Sequence, residues 1–106
     1  MAWLILIAAG ILEIIWAYAM KLSEGFSQLV PSAVTLVAML GSVALLGFAM
    51  RTLPLGTAYA VWTGIGAVGA FIVGILWLGE AITPLRLVAA GLIVAGLLLL
   101  KLATPD

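Results

Sequence analysis

From Phe26 to Met50, and again from Thr52 to Gly79, the chain carries no Asp, Glu, Lys or Arg. Uncharged runs of this length constrain the fold more than any other feature. A soluble domain must cover its surface with polar groups, and these stretches do not supply them. A bilayer's hydrocarbon core, about 30 Å thick, is crossed by roughly 20 apolar helical residues at about 1.5 Å each. Both runs are long enough. Met1 to Met20 holds a single ionisable side chain, Glu13, and Leu87 to Leu100 holds none. Polar breaks fall between the runs: Lys21, Ser23, Glu24 and Gly25; then Arg51 with Pro54 and Gly56; then Glu80, Thr83, Pro84 and Arg86.

The spacing predicts helices near residues 3–21, 30–50, 55–78 and 84–102, forming one four-helix transmembrane domain over 1–106. The fold class is all-α integral membrane. Pro31 and Pro84 fall at helix starts, where a missing N–H is harmless. The apolar runs are continuous rather than alternating, which argues against barrel strands. The N-terminus lacks a basic region and Glu13 interrupts its apolar run, so it reads as the first span rather than a removed signal peptide.

Composition narrows the function classes. The chain is 67% hydrophobic and 8% charged, against about 25% charged in an ordinary soluble domain. Mean hydropathy is +1.43, which excludes a disordered tail. Net charge is zero, leaving no basic patch for nucleic acid. There is no Cys and no His, which removes nucleophilic triads and the commonest metal ligand. Neither an enzyme, nor a cofactor, nor a metal is expected.

Short connections make neighbouring helices antiparallel. Arg51 and Lys101 then fall on one side of the membrane, Lys21 and Arg86 on the other, so the 4 basic side chains divide evenly. The positive-inside rule gives no direction. Either a further signal such as the terminal amine decides orientation, or both orientations are inserted.

Glu13 is the centre of the functional reading. It falls near mid-membrane, where an acidic side chain costs on the order of 3 kcal/mol and usually marks an ion or substrate path. No basic residue shares its depth; Lys21, Arg51, Arg86 and Lys101 all lie at span ends. An unpaired membrane carboxylate can be neutralised by a proton or by a cation from outside. A site that accepts either is the minimum machinery of proton-coupled cation transport. Gly10, Glu13, Trp16 and Ala17 share a helical face, and Trp16 offers an indole N–H and a π-face. In the third span Tyr59, Trp62, Thr63 and Gly66 fall on one face, and aromatic rings around a carboxylate suit a cation. Ser42, near the middle of the second span, can bond a carboxylate or its own helix.

Gly64, Gly66 and Gly69 match G-x-G-x-x-G, but no strand precedes them, so the dinucleotide reading fails. Half of the 12 glycines fall between Gly56 and Gly79. That density favours close packing or a hinge, with Gly64 and Gly66 the expected bend. Ala89 and Gly96, with Gly91 nearby, suit helix association in lipid, the expected dimer-packing face.

These residues resemble the small multidrug resistance family of four-helix transporters over nearly the whole chain. The likeness is carried by Glu13, the loop Lys21 to Phe26 (K-L-S-E-G-F), Pro31 with Ser32, and Ala58 to Gly66 (A-Y-A-V-W-T-G-I-G). It implies an antiparallel homodimer with dual topology in the bacterial inner membrane, and proton/cation antiport through Glu13. Members that export bulky quaternary ammonium drugs typically have a small residue where Trp16 stands, and often a Tyr where Met39 stands. Gly10, Trp16 and the Ala58 segment are instead similar to the guanidinium-exporting branch, which the Lys101 position also resembles. On that likeness Glu13 is the shared proton and substrate site, Ser42 and Trp16 are its hydrogen-bond partners, and Tyr59 and Trp62 complete the pocket. Arg86 is placed only at an interface.

A transporter explains Glu13, the aromatic cluster, the glycine-rich span and the charge balance together. A channel explains the carboxylate but not an aromatic-walled binding site. A structural membrane subunit leaves Glu13 without a role.

Overall fold

The computed structural model describes residues 1–104. Its four helices are α1 (Ala2–Leu22), α2 (Leu29–Ala49), α3 (Leu55–Trp77) and α4 (Pro84–Ala103). Each is long and apolar enough to cross a membrane. The chain is an all-helical, multi-pass membrane protein.

The turns show why the helices stop where they do. Ser23 is fully buried; its hydroxyl donates to the Met20 carbonyl at 2.6 Å and accepts from the Phe26 N–H at 3.0 Å. It clamps a left-handed turn in which Glu24, Gly25 and Phe26 have φ of 50°, 74° and 68°. Left-handed backbone at a non-glycine residue costs roughly 1–2 kcal/mol, so the Ser23 bonds hold a turn that its sequence resists. At the start of α4, the Thr83 hydroxyl accepts from the Arg86 N–H at 3.2 Å, and Pro84 occupies the first helical position.

The helices form a slab with extents of 42 × 34 × 16 Å. A single helix with side chains is about 10–12 Å across, so the slab is barely more than one layer thick. Helix α1 packs on both α2 and α3, whereas the backbone of α4 approaches only α3. No residue of α4 is buried. The packed core is Trp3, Leu6, Ala9, Leu46, Ala49, Leu53, Ala58 and Val61. These residues come from the start of α1, the end of α2, the turn after it and the start of α3, so the core lies toward the membrane face that holds the N-terminus.

In lipid, helices associate through close packing rather than escape from water, and small residues permit the approach. The α1–α3 contact follows that rule residue by residue. A Cβ at Gly10 would stand 2.6 Å from Ile65 Cγ2 and 2.8 Å from Ile65 Cβ. A Cβ at Gly69 would collide with the tip of Ile14, and one at Gly64 would stand 2.6 Å from Leu97 Cδ2. Gly10→Ala and Gly69→Ala each meet a β-branched side chain near its backbone, Ile65 in one case and Ile14 in the other. Overpacking of this kind costs about 1–3 kcal/mol. Thermal unfolding in detergent should therefore show both variants destabilised.

Candidate functional site

Glu13 lies beside the midpoint of α1, and Gly66 is the midpoint of α3. The two meet. A Cβ at position 66 would overlap the Glu13 carboxyl and stand 2.8 Å from its Cγ. A hydrogen at Gly66 is therefore what lets the carboxyl lie across α3 at mid-membrane. Its Oε1 is buried without a hydrogen-bond partner among the described residues. The Trp16 Nε1, one turn along α1, is likewise buried and unpaired. Buried polar atoms without partners are rare in native structures and call for an explanation. Here an unpaired acceptor and an unpaired donor are neighbours on α1.

Ser42 and Trp16 were expected to bond the carboxyl, and neither does. The Ser42 hydroxyl donates to the Ala9 carbonyl at 2.6 Å and accepts from Trp62 Nε1 at 2.9 Å. Its one proton is committed to α1 backbone, and Trp62 occupies the accepting side. Ser42 bonds neither the carboxylate nor its own helix. The result is a polar chain, Trp62 to Ser42 to Ala9, that ties α3, α2 and α1 one turn from the site, toward the face that holds the N-terminus. Ser42 is fully buried within it.

The remaining sequence-predicted residues divide. Tyr59 stacks beside Trp62, ring centroids 5.6 Å apart and planes tilted by 49°, with its side chain exposed. Gly10 is buried against Ile65, and Thr63 is exposed on α3. Gly64 and Gly66 lie within an unbroken α3 and receive Leu97 and Glu13. Ala89 and Gly96 are exposed on α4, and a Cβ at Gly96 would meet open space. Two features escaped sequence reasoning. The Ala9 carbonyl is backbone, which no residue pattern marks. Gly66 as the seat of the carboxyl had one signal available: the glycine stands at the same depth as Glu13 in its own span. Among the described residues no group of His, Cys, Asp or Glu could hold a metal ion.

The fold and site together define a four-span membrane protein built around one mid-membrane carboxyl. It belongs to the small multidrug resistance family: the model for Small Multidrug Resistance proteins matches residues 1–93. Among its relatives, a guanidinium exporter of Citrobacter freundii is 60% identical over 104 residues, covering 98% of this chain and 99% of its own. A guanidinium exporter of Yersinia pseudotuberculosis is 61% identical over 104 residues, covering 98% and 100%.

The polar chain generates a stability test. Ser42→Ala leaves the Trp62 N–H unpaired in the membrane interior, a loss of about 1–3 kcal/mol. Adding Trp62→Phe removes the orphaned donor. Thermal unfolding should show Ser42→Ala destabilised and the double variant partly restored; a double variant as unstable as the sum of the singles would contradict the bond.

Proposed function

We propose that this protein exports guanidinium and small guanidinyl cations across the bacterial inner membrane in exchange for protons, with Glu13 as the site both share. The observation that carries the reading is the Glu13 carboxyl: mid-membrane, seated against Gly66, its buried oxygen unpaired. A carboxylate there needs a cation or a proton for neutrality, and occupation by one excludes the other. The names of the relatives support guanidinium as the cation. Guanidinium is planar, and its N–H groups match a carboxylate in bidentate fashion. A site that hydrogen-bonds N–H groups rejects analogues lacking them. Trp16 beside Glu13 also fills space that a bulky drug would need.

The slab shape supports a pair of chains. A body 16 Å thick cannot enclose a hydrated ion. Two copies inserted in opposite orientations would bring both Glu13 carboxyls to one cavity and cover α4 through the face bearing Ala89 and Gly96. Two carboxyls would then exchange about two protons for each monovalent cation, and titrate as a coupled pair. Exchange follows when the two chains trade conformations, with α3 bending near Gly64 and Gly66.

Proteoliposomes test the reading. Guanidinium uptake should be driven by a proton gradient, and tetramethylammonium, which has no N–H donor, should be a poor substrate. Glu13→Gln should abolish coupled exchange while the protein still assembles. Because proton and cation compete for one carboxyl, guanidinium binding should weaken as pH falls; affinity unchanged across pH 6–8 would refute a shared site. Robust transport of bulky quaternary ammonium ions with no response to guanidinium would make the chain a multidrug exporter instead.

Orientation has its own measurement. A cysteine placed at the C-terminus should react with impermeant thiol reagents from both sides of the membrane. Labelling from one side alone would rule out dual insertion.

A further inference from the structure

A second carboxylate is seated on α3 in the manner of Glu13. A Cβ at Gly74 would collide with Glu80 Oε1 and stand 2.7 Å from Glu80 Cδ. Gly66 and Gly74 lie two turns apart on α3, about 12 Å along its axis. The Glu80 N–H also donates to the Gly74 carbonyl at 3.0 Å. Gly79, with φ of 70°, makes the turn that folds the chain back onto the end of α3.

Glu80 already holds a guanidinium group, the chain's own. Arg86 Nη2 lies 3.4 Å from Glu80 Oε1, and Arg86 Nη1 donates to the Ala81 carbonyl at 2.8 Å. The Arg86 Cζ lies 5.2 Å from the centre of the Phe71 ring. A carboxylate, a carbonyl and an aromatic face are the surfaces that a planar N–H cation recognises. The free guanidinium ion is this side chain's head without its stem. Both side chains are exposed, at 39% and 42%.

The cradle borders a cavity of about 140 Å³ lined by Ala17, Tyr18, Lys21, Ala70, Val73 and Glu80, among others. Ala17 is one turn from Glu13 on the same face of α1, and Ala70 is one turn from Gly66 on the same face of α3. Ala17 and Ala70 therefore lie between the surface carboxylate and the mid-membrane one.

We infer that Glu80, with the Ala81 carbonyl and the Phe71 ring, forms a second guanidinium-binding station at the membrane surface, occupied by Arg86 until the free cation displaces it. Its place on a path to Glu13 rests on the function proposed above; its capacity to bind does not. Arg86 acts as a tethered competitor, present at an effective concentration of about millimolar or more. Lys21 on the opposite wall repels a bound cation and keeps the station weak, which suits onward release.

The test uses the full chain in lipid nanodiscs, with Glu13→Gln to silence the central site. In that background Arg86→Ala vacates the cradle, and guanidinium chloride is titrated by calorimetry. The double variant should bind guanidinium saturably, and retention of Arg86 should weaken that binding about twofold or more. Adding Glu80→Gln should also weaken it about tenfold. Tetramethylammonium should not compete. No saturable binding by a double variant of native helical content would overturn the station, as would binding indifferent to Glu80→Gln. A second readout needs only one substitution. Glu80→Gln alone should raise KM for guanidinium transport with kcat retained; a lower kcat at unchanged KM would assign Glu80 to holding the loop and refute the station. Failure of the Glu13 reading is separate, because it would appear as coupled exchange surviving in Glu13→Gln.

Discussion

Hydrocarbon cannot hydrate a carboxylate, and the arrangement around Glu13 follows from that. A charge at mid-membrane costs on the order of 3 kcal/mol or more unless something neutralises it. The chain provides no basic residue at that depth. It provides room: Gly66 offers only a hydrogen where any other residue would displace the carboxyl. The Trp16 N–H beside it is left unpaired, while the polar groups one turn away pair with one another. Trp62 gives its proton to Ser42, and Ser42 gives its own to Ala9. That chain ties three helices beside the site and leaves the buried Glu13 oxygen without a hydrogen bond among the described residues.

The architecture was legible because charge punctuates the chain so cleanly. Arg51 and Glu80 mark span ends as plainly as any cap, and Glu13 stands out as the acid that interrupts an apolar run. Ser42 and Trp62 were also visible as polar atoms needing partners in a membrane interior. Their actual partners were not. Ser42 bonds a backbone carbonyl, which exists at every position and so carries no signature in a sequence. The glycines of α3 show the same limit. Their density announces close packing, but only the packed chain shows that Gly64 receives Leu97 and Gly66 receives Glu13. Arg86 was readable as an interfacial cation; that it lies on Phe71 and against Glu80 depends on the turn at Gly79.

The directional contacts between helices are unevenly distributed through the membrane. Helices α1 and α2 are joined by the Ser23 turn and the Ser42 bond, and α3 and α4 by Leu97 at Gly64 and by the Thr57 and Thr104 hydroxyls, 3.3 Å apart. The molecule is thus two hairpins meeting along a seam. Trp62 to Ser42 pins the seam at mid-membrane, and Lys101, 4.6 Å above the Trp3 ring, pins it at the N-terminal face. Toward the opposite face the seam is close-packed, with Ile14 against Gly69, and ends in a tilted pair of rings, Tyr18 and Trp77, 5.8 Å apart. Among the described residues the hydrogen bond across the seam, Trp62 to Ser42, lies on the N-terminal side of Glu13, and the half that runs from Glu13 to Glu80 is held by side-chain packing.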